Sequence, residues 1–374
     1  MAIHVRDVVK KMEAWAPSSL AYAWDNVGLQ IGDLDAPVDR ILVCLTITEE
    51  VVGIALREKI SLIVAHHPII FRPLHSLCAN KPQERLCMEL VRGGVACYVA
   101  HTNLDLVPGG VSYALADMLG ITQVQPLFLV EHAVQYKFVS FVPETHLAAV
   151  RQAVSEAGAG IIGEYTQCSF STPGTGTFLP GASATPFLGN KEMLNEEPER
   201  RFETIVPKGC LGAVIGALCE AHPYEEPAYD VFPLIEPDNN IGLGVRGVLQ
   251  TPVTMQNLAE LTCSLLEEHT VRVYGDADMM VRSVAVLGGS GGGEIPRLPS
   301  DIDLYITGDV KYHDALEALQ RSIGVIDAGH RGTEIPVLEK IKEYLAQLNG
   351  LNIMIYEEPE TFTVVSASPS LESN

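Results

Sequence analysis

The sequence predicts an α/β fold, a layered body interrupted by an inserted α+β domain. Helical and strand-like patterns alternate over residues 3–125, which is typical of a mostly parallel sheet with crossover helices. The same alternation resumes after residue 242, whereas the segment between reads as the split β-α-β order of a ferredoxin-like domain. We therefore expect a first lobe over 1–127, an inserted domain over 128–240 and a second lobe over 241–374.

In the first lobe, apolar residues recur at helical spacing in three segments: 5–16, 48–59 and 81–94. Short apolar runs predict strands at 40–48, 61–67 and 95–103. The third helix should end at Gly93 or Gly94, because glycine commonly terminates helices.

In the inserted domain, residues 135–160 read as strand, turn and helix, and residues 200–234 read as strand, helix and strand. Between them, "STPGTGTFLPGASATPFLGN" (171–190) is rich in Gly, Pro, Ser and Thr and is interpreted as an irregular loop, a lid or a spacer. In the second lobe we expect strands at 283–289, 303–309 and 324–330 and helices at 257–269, 313–322 and 334–348.

Composition restricts the possible functions. The chain has 25 Lys+Arg against 47 Asp+Glu, a net charge of −22 without a basic stripe, which makes binding to nucleic acid unlikely on electrostatic grounds. We find neither a signal-peptide pattern nor an apolar run long enough for a membrane span. The eight cysteines form no CxxC pair, as in proteins of a reducing compartment, so a cytoplasmic location is expected.

Three predicted strands end in histidine: one in His66 and His67, one in His101 and one in His330. Ligands collect at the carboxyl ends of strands in α/β sheets. Asp105 and Glu334 each follow a strand-end histidine by four residues. Imidazoles with carboxylates suit Zn²⁺, Mn²⁺ or Fe²⁺, so these positions predict a metal site.

Adjacent residues at a strand end point to opposite sides, so His66 and His67 are expected to serve different ions. The prediction is a dinuclear site with two divalent ions per subunit, which Glu334 would bridge. A lone strand-end histidine is more often structural, and for His101 three roles stay open: ligand, partner that holds Asp105, or structural residue.

Three further features have alternative interpretations. The glycine loop 286–296 is either a nest of backbone N–H groups for an anion or, as we favour, a plain turn, because it lacks the ending of a P-loop. Asp309 is interpreted as a helix cap in preference to a catalytic residue. His222 is expected to be a turn residue of the inserted domain.

Five motifs together resemble the GTP cyclohydrolase 1 type 2 homologue family, also called the Ngg-interacting-factor-like family. They are "WDNVGLQIG" (24–32), "AHHPIIF" (65–71), "HTNLD" (101–105), "GDVKYHDA" (308–315) and "GHRGTE" (329–334). The resemblance implies a dinuclear metal centre in the cleft of a two-lobed body, a toroidal homohexamer and an inserted module similar to the PII and CutA proteins, with "HPYEEPAYDVFPL" (222–234) as its closing strand.

The resemblance places the family's metal ligands on His66, His67, Asp105, His330 and Glu334, the set that the strand ends also indicate. One position departs from the pattern: many members have Asp in "CLDVT", where this chain has Thr46 in "CLTIT". The departure bears on catalytic competence, whereas metal binding is expected to survive it.

The function implied is a divalent-metal-dependent hydrolase in which a metal-bound hydroxide attacks a nucleotide or another small molecule, with opening of the GTP imidazole ring as the named reaction. Two alternatives stay open. One is a regulatory or scaffold protein that acts through the PII-like module with structural metals, and the other is a dinuclear phosphoesterase.

Overall fold

The computed structural model describes residues 2–130, 133–163, 165–235, 240–360, 362–363 and 365, and the predicted mixed α/β class is confirmed. The chain divides into two compact units. One combines Met1–Val130 with Asp238–Asn374, and the other is Glu131–Pro237. Among the described residues, no helix has both the length and the apolarity to cross a bilayer.

The secondary-structure elements are numbered in chain order. The first part contains β1 (Ile3–His4), α1 (Val5–Trp15), β2 (Gly28–Ile31), β3 (Pro37–Val38), β4 (Arg40–Cys44), α2 (Glu49–Arg57), β5 (Leu62–Ala65), α3 (Pro82–Gly93), β6 (Ala96–Val99), α4 (Thr102–Asp105), α5 (Val111–Met118) and β7 (Thr122–Leu129). The middle part contains β8 (Ala133–Pro143), α6 (Leu147–Glu156), β9 (Ser169–Phe178), β10 (Asn195–Pro207), α7 (Leu211–Ala221) and β11 (Tyr229–Ile235). The last part contains β12 (Gly242–Thr254), α8 (Met255–Leu266), β13 (Arg272–Tyr274), β14 (Met280–Ser290), β15 (Leu304–Gly308), α9 (Tyr312–Gln320), β16 (Gly324–Asp327), α10 (His330–Glu334), α11 (Pro336–Leu345) and β17 (Asn352–Ile355).

The first sheet of the larger unit has the strand order β17-β4-β5-β6-β2, with β17, β4, β5 and β6 parallel and β2 antiparallel at the edge. All four residues of β5 and of β6 are buried, as expected for strands covered by helices on both faces. Local signals set the flanking helices. Thr48 caps α2 by accepting a hydrogen bond from the Val51 amide, and α3 has Pro82 in its first turn and ends at Gly94 with φ of 67°.

The second sheet of that unit has the order β13-β16-β15-β14-β12-β7, with β14, β15 and β16 parallel. Each sheet takes one strand from the other end of the chain, because β17 pairs with β4 and β7 pairs with β12. The two ends of the chain also share a hydrophobic core, because Val337 and Ile341 of α11 lie in the same buried cluster as Val5 and Val8 of α1.

The smaller unit is a sheet of order β11-β8-β10-β9 with antiparallel neighbours, and α6 and α7 contribute to its core with Val150 and Val214. The prediction of an irregular loop over 171–190 is wrong for residues 171–178, which belong to β9. The strand lies at the sheet edge, where Pro173 and two glycines are tolerated, so composition conceals it. Residues 179–194 form neither helix nor strand.

Candidate metal centre

The predicted site residues lie beyond the carboxyl ends of parallel strands from both sheets of the larger unit. β5 ends at Ala65, so His66 and His67 follow it directly. His101 follows β6 and precedes the short helix α4, which ends at Asp105. His330 and Glu334 are the first and last residues of α10, just after β16. The fold thus brings all five predicted ligands, and His101, to one place.

The four imidazole rings converge. Ring centroids of His66 and His67 lie 5.0 Å apart, those of His66 and His101 5.2 Å, and those of His67 and His330 5.5 Å. The expectation that His66 and His67 point to opposite sides is wrong, because the extended conformation on which it rests ends at Ala65. Both rings face the same cluster.

Each of these rings is held through its Nδ1 atom. The partners are the Ala100 carbonyl for His66 at 2.8 Å, the Thr46 hydroxyl for His67 at 2.9 Å, the Asp25 carboxylate for His101 at 2.9 Å and the Asp309 carboxylate for His330 at 2.9 Å. Carbonyl and carboxylate oxygens only accept hydrogen bonds, so at three of the rings Nδ1 donates, and in the neutral form of each ring Nε2 has a lone pair to offer to the centre. Fixing the outer nitrogen in this way is the usual arrangement of metal-binding histidines.

Glu334 lies at the middle of the cluster and is only 4% exposed. Its Oε1 is 3.1 Å from His330 Nε2 and 3.6 Å from His66 Nε2, and its Oε2 is 3.1 Å from His67 Nε2. Asp105 approaches from one side, with Oδ1 3.7 Å from His66 Nε2. The two oxygens of Glu334 therefore face different imidazoles.

The donor atoms fit a divalent cation. Two groups of three have their ligand atoms within 4.8 Å of one another: His66, His67 and His101 form one, and His67, His330 and Glu334 form the other. Within the described residues, His66 Nε2 and Glu334 Oε2 are buried and make no hydrogen bond of regular geometry, although Oε2 lies 3.1 Å from His67 Nε2. Buried polar atoms without a partner are costly and call for an explanation, and a bound cation supplies one for both.

The charges of the cluster depend on one another. Burial opposes protonation of His66, but Glu334 and Asp105 raise its pKa to about 9. The hydrogen bond to Glu334 outweighs burial and raises the pKa of His330 to about 9, whereas burial lowers the pKa of His67. Burial raises the pKa of Asp105 to about 6. Despite burial, His66 and the other imidazoles hold the pKa of Glu334 well below its ordinary value. Positive charge is thus favoured at the centre, which protons or a cation can provide.

The glycine loop 286–296 lies behind the centre. The interpretation as a plain turn is wrong, because residues 286–290 are the end of β14 and residues 292–296 lie in a 3-10 helix. Gly289 has φ of 76°, and a Cβ at this position would collide with Oε1 of Glu334. Its amide donates to the Thr333 hydroxyl at 2.9 Å, which ties the loop to α10. Glycine is required here for both conformation and space.

Sequence reasoning did not identify the role of three residues that orient the histidines: Asp25, Thr46 and Asp309. The interpretation of Asp309 as a helix cap is wrong, because α9 begins after Lys311 and Asp309 instead contacts His330. Asp25 stands in the quoted "WDNVGLQIG" motif, but no local pattern pairs it with His101, 76 residues away. His222 lies in the smaller unit, where its Nε2 contacts the Phe141 carbonyl at 3.0 Å.

A cleft of about 1150 Å³ opens beside His67 and His330. Its three arginines are already paired with carboxylates: Arg85 with Glu49, Arg272 with Asp327 at 3.5 Å and Arg331 with Glu268 at 2.7 Å. The cleft wall therefore offers an anionic substrate little unpaired positive charge of its own.

Comparisons with known proteins agree with this architecture. The model of the Duf34/NIF3 (NGG1p interacting factor 3) family matches residues 3–361. The chain is 40% identical to the "GTP cyclohydrolase 1 type 2 homolog" of Halalkalibacterium halodurans over 91% of this chain and 92% of that protein. It is 36% identical to the protein of the same name from Bacillus subtilis, over 96% of this chain and 99% of that protein.

Solved structures are similar over the whole length. A Bacillus cereus protein related to NIF3 has a TM-score of 0.68 at 37% identity, covering 98% of this chain and 100% of that one. A Staphylococcus aureus protein has a TM-score of 0.74 at 26% identity, covering 97% and 99%. The chain therefore belongs to the Duf34/NIF3 (NGG1p interacting factor 3) family.

Proposed function

We propose that this protein is a divalent-metal-dependent hydrolase of a small-molecule substrate. The observation that carries the proposal is the convergence of three imidazole rings, those of His66, His67 and His330, on the buried carboxylate of Glu334, at the edge of an open cleft. Clusters of titratable groups in a cleft are typical of catalytic sites.

The proposed cofactor is two divalent ions per subunit, Zn²⁺, Mn²⁺ or Fe²⁺, held by His66, His67, Asp105, His330 and Glu334. The two Glu334 oxygens, which face different imidazoles, support a bridging role for this carboxylate. His101 belongs to one of the two donor groups and becomes a sixth candidate ligand, with Asp25 fixing its ring.

When bound, such ions supply Lewis-acid polarisation and a water molecule of lowered pKa at neutral pH. The chain's own residues position the rings and line the cleft. Because each arginine of the cleft wall already has a carboxylate partner, an anionic substrate would depend on the bound cations for charge compensation. We therefore expect substrate binding to require metal.

The name of the relatives makes GTP the first substrate to test. Metal-loaded protein is incubated with GTP while ring opening and formate release are followed. Absence of turnover, or equal turnover by His67→Ala, contradicts the cyclohydrolase version of the proposal. A panel of phosphoesters, tested in parallel, separates ring opening from the dinuclear phosphoesterase alternative.

A second candidate function, regulation or scaffolding with structural metals, is favoured by Thr46. At this position the hydroxyl contacts His67, and the backbone amide of Thr46 donates to Glu358 of the C-terminal segment. The Glu358 carboxylate is thus bonded to the backbone of Thr46, whereas His67 contacts the Thr46 hydroxyl. Coordination positions closed by protein ligands would favour this second function, and positions open to water would favour catalysis.

Replacing Thr46 with valine, which keeps the shape but removes the hydroxyl, is expected to weaken metal binding about tenfold, because loss of a partner that orients a ligand typically costs about 10–100-fold. Competition with a metallochromic chelator measures the affinity. Thr48→Val is unsuitable as a control, since Thr48 caps α2. Thr145→Val, at an exposed position of the smaller unit, serves as the control instead. Equal metal affinities of Thr46→Val and Thr145→Val would show that Thr46 does not contribute to metal binding.

We further propose the domain assignment 1–127, 128–240 and 241–374 as first lobe, inserted module and second lobe around a dinuclear cleft. The element order β-α-β-β-α-β of the smaller unit supports a ferredoxin-like, PII/CutA-like module. A homohexamer and a cytoplasmic location complete the proposal, supported by the family resemblance and the eight unpaired cysteines. A native mass of six chains tests the assembly.

A further inference from the structure

A separate cavity lies wholly within the smaller unit. Its volume is about 470 Å³, within the range of small-molecule sites. Its walls come from β8, β9, β10, the segment 179–188 and the segment that precedes β11. None of the residues that line it belongs to the metal centre.

A buried carboxylate faces this cavity. Glu199 of β10 is only 8% exposed, and its Oε1 accepts a hydrogen bond from the Tyr224 hydroxyl at 2.7 Å. Among the described residues that line the cavity there is neither lysine nor arginine. Arg201, which shares the strand face of Glu199, pairs with Glu203 at 2.7 Å. A buried carboxylate without a cation is costly, so Glu199 lacks the partner that its position requires.

The opposite strand leaves room for this carboxylate. A Cβ at Gly176 of β9 would collide with the Glu199 carboxyl group. Burial and the neighbouring Glu199 raise the pKa of Tyr224, so its hydroxyl stays protonated and donates. The carboxylate is therefore fixed in place, with Oε1 bonded to Tyr224 and Oε2 packed beside Gly176.

Three aromatic rings surround the same space. The ring centroid of Tyr224 lies 6.3 Å from that of Phe178 and 6.4 Å from that of Phe187, with interplanar angles of 50° and 47°. Tilted rings at this separation do not stack face to face. Phe187 and Tyr224 each have one further T-shaped neighbour, His146 and His222 respectively. Aromatic faces around a carboxylate are the usual surroundings of a substituted ammonium ion.

The segment that carries Phe187 is held by its own hydrogen bonds. Buried Asn195 accepts from the Asn190 amide at 2.8 Å and donates to the carbonyls of Asn190 and Met193. Glu225 accepts from the Thr185 amide at 2.9 Å. These four hydrogen bonds hold the backbone of the cavity wall, which favours binding because less ordering is required.

We infer that this cavity binds an organic ammonium ion, whose charge faces the Glu199 carboxylate and whose alkyl groups contact Phe178, Phe187 and Tyr224. The site is independent of the proposed hydrolase activity, since it lies in the other unit and shares none of its residues.

Calorimetric titration of the full-length protein tests the site with two matched pairs of probes. Choline is compared with its neutral isostere 3,3-dimethylbutan-1-ol, and benzylammonium with benzyl alcohol. We expect saturable binding of at least one cation, with its neutral analogue at least about tenfold weaker. Glu199→Gln should weaken cation binding about tenfold or more, and Phe187→Ala about threefold to tenfold.

Glu196→Gln, at an exposed position of the same strand, is the matched control and should bind like the original chain. Phe187 is half exposed, so Phe187→Ala keeps the test decisive if Glu199→Gln fails to fold. His67→Ala should leave cation binding unchanged, which separates this site from the metal centre. The inference is overturned if neither cation binds, if the neutral probes bind equally well, or if both Glu199→Gln and Phe187→Ala bind like the original chain.

Discussion

Replacement of His67 with alanine is expected to lower metal affinity by at least about 100-fold, because removing a ligand costs more than the roughly 10–100-fold loss that follows removal of an orienting partner. His67 is the residue that the two donor groups share. Its loss therefore affects both proposed ion positions at once. Chelator competition and elemental analysis of the purified variant measure the effect.

The matched control is His75→Ala, because His75 is exposed and lies outside the cluster. Its metal content and affinity should equal those of the original chain. A thermal melt of each protein in chelator separates loss of metal from loss of folding. If His67→Ala retained stoichiometric, tightly bound metal, His67 would not be a ligand and the proposed centre would need a different set.

Gly289→Ala is expected to lower the free energy of unfolding by about 2–4 kcal/mol, a large effect for one methyl group. The φ of 76° is unfavourable for a residue with a Cβ, and that Cβ would collide with Glu334. Displacement of Glu334 should also weaken metal binding. Urea denaturation of the metal-free protein measures stability without the contribution of bound metal.

The same loop supplies the control. A Cβ at Gly293 would meet no atom within 4 Å, so Gly293→Ala should change the free energy of unfolding little. Similar unfolding curves for Gly289→Ala and Gly293→Ala would show that Glu334 and the loop adjust to the methyl group. The metal centre would then not require glycine at position 289.

The candidate ligands could be predicted because their positions are local features. A histidine at the end of an apolar run, with a carboxylate four residues later, can be read from the sequence alone. The helical and strand-like periodicity then predicts parallel strands, whose carboxyl ends lie along one edge of a sheet. The resemblance of the surrounding motifs to a known family pointed to the same residues, and membership of that family is confirmed by the match over residues 3–361.

The partners of the histidines could not be predicted, because they come from distant segments. Asp25 meets His101 across 76 residues, and Thr46 meets His67 across 21. Such contacts depend on how β2, β4 and β6 are arranged in the sheet, and periodicity does not encode that arrangement. For the same reason, the sequence pattern does not reveal that β7 pairs with β12 and β17 pairs with β4, each in the sheet of the other end of the chain.

Composition misled the prediction at one strand. Residues 171–178 contain Pro173, glycines and threonines, which indicate a loop, yet they pair along β10 as the edge strand β9. An edge strand pairs on one side only and tolerates such residues. The consequence reaches function, because β9 carries Gly176 and Phe178 of the ammonium cavity.

The most direct test of the central claim is an anomalous difference map from crystals of the protein grown with Zn²⁺, Mn²⁺ or Fe²⁺ and recorded at the absorption edge of that metal. The account predicts two peaks within the cluster formed by the five proposed ligands, His66, His67, Asp105, His330 and Glu334. A map that shows no peak in this cluster would contradict the account, whether or not the added metal binds elsewhere on the protein.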